Sequence, residues 1–216
     1  MNKHRLLTML GGSRYSSLQT TDITITIDSW IYQADATKNN GLSAFIIIGN
    51  SGSAATVCRS WVKPDLSSIP INSKIKSATL KLYCITDGSG NERAYRVYRM
   101  LRAVAEGTGN NTVTNDGVSW NTYDGVNNWQ TVGGFGALDC EQTDIGSRTF
   151  SATETTSEYK EFILNTDKIS EIVNGTFTNN GFLLKADTEN TDRYTFNSGE
   201  SATNKPILTV EYKYPL

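Results

Sequence analysis

The chain has 216 residues and a formal net charge of −2, with 20 basic and 22 acidic residues. Only 38% of the residues are hydrophobic, Gly is frequent (18) and Pro is scarce (4). Thr, Tyr, Val and Ile favour strands, whereas Asn, Gly and Ser favour turns, so this composition predicts a single all-β domain with many loops. The sequence shows no basic stripe with interleaved aromatics and no membrane-length apolar segment, so we expect neither nucleic acid nor a membrane as a partner.

Residues 1–20 are predicted to form an N-terminal arm, and residues 21–216 the domain. Leu6, Leu7 and Leu10 make the arm more apolar than most tails, so a disordered tail and a segment that docks on another subunit both remain open. The apolar run LLTML has about five residues and is shorter than the core of a signal peptide. We therefore expect synthesis in a cytoplasm without export.

Cysteine usage favours free thiols. Cys58, Cys84 and Cys140 are odd in number and widely separated, and no C-x-x-C motif is present. This pattern predicts buried thiols rather than a disulfide framework or a zinc site.

Strand signals begin at Ile23–Ile27, where Ile alternates with polar residues. Asn39–Gly41 predicts a turn, and the continuous apolar run Phe45–Gly49 predicts a strand buried on both faces. The stretch Arg59–Tyr83 is predicted to organise the domain as two strands joined by a polar turn. Along its second strand and just beyond, the residues expected to face the core are Ala78, Leu80, Leu82 and Cys84.

The second half of the chain predicts short strands separated by loops. Residues 80–86 and 94–101 predict a hairpin across the turn residues Asp87–Asn91. Ala105–Gly146 is long and irregular, which indicates either a functional loop or a folded cover over the core. Tyr159–Leu164 predicts a strand, and residues 165–175 predict a helix that is capped by Asp167 and ended by Gly175. A total of roughly eight to ten short strands is typical of a jelly-roll β-sandwich.

Ordered motifs along the chain resemble the DNRLRE domain family of carbohydrate-binding-module-like jelly rolls, over about residues 22–212. One departure is Lys63-Pro64-Asp65, where that family usually has Phe-Asp. The matching motifs are Asn40-Gly41 with the run to Gly49, Arg59–Tyr83, Val113–Asn121, Gly133-Gly134 with Asp139, Phe162–Gly175, Asn180–Phe182, Phe196–Ser198 and Pro206–Tyr212.

The resemblance implies a non-catalytic protein, and Ser119–Gly134 is most similar to phage-borne members. It therefore implies a virion protein that decorates a capsid or belongs to a tail or neck, with other virion proteins as partners and the virion as its location. The alternative is a carbohydrate-binding module that attaches to a cell-surface glycan or polysaccharide. Self-assembly into a homo-oligomer is compatible with either function.

Catalytic signals are weak, so we expect no enzyme. The only histidine, His4, lies in the predicted arm, where it is unsuited to a Ser-His-Asp or Cys-His apparatus. Glycosidases need two carboxylates that face one groove. The loop carboxylates available for such a pair, which we interpret instead as turn and solvation residues, are Glu106, Asp116, Asp139, Glu141 and Asp144.

Three loop aromatics, Trp120, Tyr123 and Trp129, are the candidate ligand-binding residues, because flat rings stack on sugar faces while nearby amides donate hydrogen bonds. The alternative is that Trp120 plugs one end of the sandwich and Trp129 pins the long loop. No cofactor is expected apart from a structural calcium ion, for which Asp187 and Asp192 are the weak candidates.

Overall fold

The computed structural model describes residues 15–53, 55–88 and 90–216. The predicted docking residues Leu6, Leu7 and Leu10 lie outside these ranges. The described elements are β1 (Gln19–Thr24), β2 (Asp28–Tyr32), a 3₁₀ turn (Gln33–Asp35), β3 (Lys38–Asn39), β4 (Phe45–Asn50), β5 (Val57–Val62), β6 (Lys74–Asp87), β7 (Arg93–Arg99), β8 (Thr112–Val113), β9 (Gly146–Phe150), β10 (Glu158–Leu164), α1 (Thr166–Val173), β11 (Phe182–Ala186), β12 (Arg193–Asn197) and β13 (Ile207–Lys213).

Eight of the strands pair in a closed ring, in the order β6, β10, β9, β7, β11, β5, β4, β12 and back to β6. Strand β13 extends the ring from β6, β1 pairs with β13, and β2 pairs with β5. The all-β prediction is confirmed. The finer prediction of a jelly-roll sandwich is not confirmed, because the strand pairing closes into a barrel instead of leaving two separate sheets.

The long strand β6 organises the barrel, as the period-two pattern predicts. Ala78, Leu80, Leu82 and Cys84 are all fully buried on its inner face. One edge of β6 pairs with β10. The other edge pairs first with β13 and then, further along the strand, with β12, so that β6 has three partner strands. Strand β4 is likewise confirmed as buried on both faces, with only Phe45 exposed at its start.

The predicted hairpin between residues 80–86 and 94–101 is wrong. Strand β7 pairs with β9 and β11, and it has no pairing with β6 among the described residues. The turn residues between the strands contact Asp192 instead: the backbone N–H of Gly90 and the side chains of Asn91 and Arg93 all donate to its carboxylate. These bonds direct the chain across the barrel rather than back along β6.

Helix α1 begins and ends close to its predicted bounds, but its cap differs. The side chain of Asn165 accepts hydrogen bonds from the backbone N–H groups of Asp167 and Lys168, so the cap is Asn165 and not Asp167. Ile169 and Ile172 are buried against the barrel. Gly175 adopts a φ of 73°, which glycine tolerates, and it ends the helix as predicted. This eight-residue helix is too short to span a bilayer, and the described ranges offer no other candidate span.

Residues 15–20, predicted as part of the arm, belong to the folded domain. Tyr15 forms a bridge with Pro215, and the backbone N–H of Ser16 donates to the carbonyl of Tyr214. Strand β1 then runs antiparallel to β13 through Ile23. The first and last strands of the described chain therefore pair with each other at the edge of the sheet.

The cysteine prediction is confirmed, because Cys58, Cys84 and Cys140 are buried and free. Burial raises the pKa of the Cys58 and Cys140 thiols to about 12 and that of Cys84 to about 11. Thiols with such pKa values are almost entirely protonated near neutral pH and pack as small apolar groups.

Candidate functional site

Residues 101–145, which connect β7 to β9, form a folded cover that we call the cap. The cap buries a second hydrophobic cluster against the outer side of the barrel. Its members from the barrel are Ile31, Trp61, Tyr98, Met100 and Leu183, and those from the cap are Val104, Val118, Trp120, Trp129 and Cys140. Of the two predictions for this long segment, the folded cover is the one that the structure shows.

The two cap tryptophans lie inside this cluster. Trp120 is 5% exposed and Trp129 is 6% exposed. The indole N–H of Trp129 donates to the carbonyl of Ser119 at 3.0 Å, so its polar atom is satisfied within the cap. Neither ring has an open face for a sugar. Of the three predicted ligand-binding aromatics only Tyr123 reaches the surface, and it packs between Trp129 and the guanidinium of Arg102.

Arg59, on β5, holds the cap against the barrel. Its guanidinium makes a two-point contact with the carboxylate of Glu189, at 2.8 and 2.7 Å, and donates to the carbonyl of Gly133 at 2.7 Å. It also lies 5.0 Å from the centre of the Trp120 ring. Bidentate arginine–carboxylate contacts are strong and fix orientation, so Arg59 joins three segments in one geometry.

Asn39 anchors the base of the cap, a role that its place in a predicted turn did not indicate. Its buried amide donates to the carbonyls of Glu106 and Val118 and accepts from the N–H groups of Gly41 and Gly109. The backbone at Gly107 passes so closely that a Cβ there would lie 2.7 Å from the Asn39 oxygen. The signal available in the sequence was the recurrence of glycine around residues 107–117.

Asp139, a candidate for carboxylate catalysis, is instead the internal support of the cap. The side chain is completely buried. One oxygen accepts from the backbone N–H of Gln130 at 2.9 Å, and the other accepts from those of Thr131 and Gly136 at 3.0 and 3.2 Å. A carboxylate that accepts several backbone N–H bonds is committed to the local fold.

We expect Asp139→Ala to lower the free energy of unfolding by about 3 kcal/mol, because three backbone N–H groups, one of them in a fully buried hydrogen bond, lose their acceptor. The matched control is Asp124→Ala. Asp124 also accepts from two backbone N–H groups, those of Val126 and Asn127, but water reaches that turn and replaces the bonds. Urea unfolding and the near-ultraviolet circular dichroism of the tryptophans measure both variants, and equal losses would contradict this role for Asp139.

Three carboxyl groups, those of Asp28, Glu106 and Glu200, lie near one another at the start of β2. The backbone N–H of Asp28 donates to Glu106 at 2.8 Å, and the Asp28 carboxylate accepts from the N–H of Gly199 at 2.6 Å. Burial raises the pKa of Asp28 to about 8, and the negative charges of Glu200 and Glu106 add to the shift. Burial also raises the pKa values of Glu106 and Glu200. Because Asp28 is only 1% exposed, a substrate has no access to it.

The calcium candidates do not form a site together. The Asp192 carboxylate is engaged by Arg93, Thr191 and the residues before β7, and Asp187 lies 3.8 Å from Arg96. Throughout the described ranges no group of three or more His, Cys, Asp or Glu side chains is arranged to hold a metal ion. Structural calcium therefore stays a prediction without a set of ligands.

The remaining catalytic candidates are also engaged. Thr108 donates its hydroxyl to Asp116 at 2.7 Å, Arg99 contacts Glu141 at 2.8 Å, and Arg96 contacts Asp144 at 3.2 Å. Each of these carboxylates has its own partner on a different part of the surface. The five loop carboxylates thus all have hydrogen-bond or ion-pair partners in the protein, and Asp139, which is completely buried, is not a solvation residue. The expectation that the chain is not an enzyme stays a prediction.

The cap contains an open polar cleft of about 220 Å³. One wall is the short ribbon of β3 and β8, with Thr37 before it and Val113 within it. The floor is the tight turn Ser119–Thr122, and Asn128 lies across from it. The lining consists of hydroxyl, amide and small apolar groups and carries no charge. This cleft is the part of the cap where a ligand has room and hydrogen-bonding groups.

A family model described as the disaggregatase related repeat domain matches residues 28–210, which is most of the chain. A search of curated proteins finds no match. The resemblance to the DNRLRE family is therefore wrong. The motifs that suggested it are short strand and turn patterns, and β-domains of different families share such patterns because the same turn chemistry and alternation recur.

Proposed function

The chain belongs to the disaggregatase related repeat domain family, and we propose that it acts as a non-catalytic carbohydrate-binding domain. The observation that carries this proposal is the uncharged, amide-lined and hydroxyl-lined cleft on a cap that is held rigidly to the barrel. Sugars present hydroxyl groups that both donate and accept hydrogen bonds, and amides and hydroxyls are their natural partners. The word disaggregatase denotes an activity that separates aggregates, and attachment to the aggregate is a function that such an activity requires.

The absence of a catalytic role is part of the proposal. Retaining and inverting glycosidases need two carboxyl groups in one groove, separated by roughly 5 to 10 Å. In the described part of the chain, the cleft has no carboxylate in its lining. The carboxylates with raised pKa values lie beneath the cap, where Asp28 is sealed from solvent. Binding without turnover is the function that this arrangement supports.

A glycan array probed with the full chain, followed by analysis of each bound glycan for cleavage, tests the proposal. We expect binding to at least one glycan class with affinities down to about 1 mM, and we expect the bound glycan to remain intact. A blank array over that range would overturn carbohydrate binding. Cleavage that disappears when one carboxylate is changed would overturn the non-catalytic part.

The jelly-roll sandwich belongs to this proposal as the finer description of the barrel. Its support is that Leu80 on β6 and Leu184 on β11, strands that lie opposite each other in the ring, belong to one continuous cluster. A barrel that is flattened until its two faces pack in this way has the interior of a sandwich.

The predicted role in a phage virion stays a prediction. Its motivation was the similarity to phage-borne members of a family to which the chain does not belong. The arm residues that would dock on another subunit lie outside the described ranges. Within those ranges, no residue gives support for a location in a virion or for a virion protein as a partner. Carbohydrate attachment is therefore the function that we place first.

A further inference from the structure

We infer that the cap cleft binds the terminal uncharged sugar of a glycan and that the side-chain amides of Asn121 and Asn128 recognise it. This inference rests on the proposed function and goes further by naming the recognition groups, the part of the glycan and the charge of the sugar. It replaces stacking on Trp120 and Trp129 with hydrogen bonding as the source of affinity.

The asparagines of the cleft differ from other asparagines that help to hold the fold together. Asn39, Asn179 and Asn180 each use their amides in hydrogen bonds with the backbone. Asn121 and Asn128 line the cleft together with Asn115. Within the described ranges the side chains of Asn121 and Asn128 have no hydrogen-bond partner in the protein, and Asn121 bonds Ser119 through its backbone N–H alone. Each amide carries two donor hydrogens and an acceptor oxygen. Two such groups that face one cleft provide the mixed donors and acceptors that sugar hydroxyls require.

The backbone holds both asparagines in place. The N–H of Asn121 donates to the carbonyl of Ala36, and its carbonyl accepts from the N–H of Trp129, each at 3.1 Å. Asn128 forms a bridge with Thr122, whose hydroxyl lies 2.9 Å from that of Ser119. With the backbone fixed, binding restrains only the side-chain torsions, which limits the entropy lost when a ligand binds.

The dimensions and charge of the cleft define the ligand. A volume of about 220 Å³ is below the range of roughly 300–1,000 Å³ that is typical of pockets for drug-sized ligands. It suits one sugar ring, so the ligand is a chain end or a branch and not the interior of a chain. Among the described residues no basic side chain lines the cleft, whereas Asp116 and Asp124 follow its lining residues closely in the chain. A uronic acid would find no cation here, so the cleft favours neutral sugars.

Apolar contact comes from valine rather than from an aromatic ring. Val113 lines the cleft and is 65% exposed. Its position on the β3–β8 ribbon lets an apolar side chain meet the C–H face of a sugar while the amides contact the hydroxyls. The contact area is small, so the affinity for one ring is expected in the millimolar range, about 4 kcal/mol of binding free energy at 1 mM.

The test is a nuclear magnetic resonance titration of the ¹⁵N-labelled full chain with the methyl glycosides of glucose, galactose, mannose and N-acetylglucosamine, and with glucuronate and galacturonate. We expect the side-chain NH₂ signals of Asn121 and Asn128 to shift with at least one neutral glycoside and not with the uronates. Asn121→Ala and Asn128→Ala are each expected to weaken binding about 5-fold. The matched control is Asn110→Ala, an exposed amide on the same cap that lies outside the lining.

Each outcome bears on the inference. If the glycan array is positive but both cleft variants bind as the unchanged chain does, or if Tyr123→Ala alone abolishes binding, the inference fails and the proposed function stands. If the uronates bind more tightly than the neutral sugars, the stated ligand is wrong. If no glycan binds, the proposed function fails and the inference with it. Because Asn128 is exposed, its variant remains informative even if Asn121→Ala impairs folding.

Discussion

Replacement of Arg99 by alanine is expected to lower the free energy of unfolding by about 3–5 kcal/mol. Arg99 lies on β7 and is 1% exposed. Its guanidinium donates to both oxygens of Glu141 in the cap, at 2.9 and 2.8 Å, and contacts Glu171 on α1 at 2.7 Å. It also donates to the carbonyl of Lys168 and lies 3.7 Å from the centre of the Phe177 ring. The substitution therefore removes a buried group that joins the barrel, the cap and the helix.

Urea unfolding at neutral pH measures this loss, and Arg96→Ala is the matched control. Arg96 lies three residues away on the same strand and pairs with Asp144 at 3.2 Å, but about a third of its side chain is exposed. Exposed ion pairs contribute about 0–1 kcal/mol, so the control should change stability little. Similar losses of unfolding free energy in the two variants would mean that the burial of Arg99 does not increase its contribution to stability. A loss that vanishes in Arg99→Met would assign the effect to packed volume rather than to charge.

Periodicity was enough to predict the strands, because alternation is a local property. The inner face of β6 follows from residues that are two positions apart, and the doubly buried β4 follows from a continuous apolar run. Strand partners are not local. The hairpin prediction failed because the segment after Asp87 is held by Asp192, about a hundred positions further along the chain. No pattern within the turn itself indicates that contact.

Buried charge is the second feature that the sequence did not reveal. Arg99 occurs in a run of arginines at every third position, which a period-two strand distributes over both faces. The sequence could not show which arginine becomes buried, because its partners come from the cap and from α1. Lys160 is similar: it occupies an inward position of β10 and is fully buried with Glu154 and Glu158 as partners. Such positions depend on the tertiary arrangement that supplies the opposite charge.

The site that we propose uses groups other than the predicted aromatics. The long loop was singled out for its length and its aromatics, and the cleft does lie in that loop. Aromatics were favoured because they stack on sugars, yet Trp120 and Trp129 are needed to bury the outer side of the barrel. Nearby amides were expected to supply hydrogen bonds to a sugar, but Asn121 and Asn128 were not singled out. Only the structure shows that their side chains are unpaired, whereas that of the neighbouring Asn127 donates to Asp124.

Replacement of Asp28 by asparagine is expected to stabilise the protein at pH 8 by about 2–5 kcal/mol. Burial raises the pKa of Asp28 from 3.8 to about 8. Between these two values the native state holds a proton that the unfolded chain has released, so stability falls as the pH rises, by about 1.4 kcal/mol per pH unit. Lys205 opposes the shift, but the carboxylates of Glu106 and Glu200 increase it. An asparagine keeps an acceptor for the Gly199 N–H and never ionises.

Thermal and urea unfolding of both proteins at intervals from pH 4 to pH 9 measure the effect. Relative to Asp28→Asn, the unchanged chain should lose stability through this range. Both proteins keep the dependence of Glu106 and Glu200, whose pKa values burial raises, and the opposite dependence of Glu141, whose pKa the hydrogen bond from Arg99 lowers. The curves should converge near pH 4, where both side chains are neutral. Asp187→Asn removes the same charge from an exposed position and should leave the slope unchanged. Parallel curves for the unchanged chain and Asp28→Asn would show that Asp28 is ionised in the native state, with a favourable interaction that compensates for its burial.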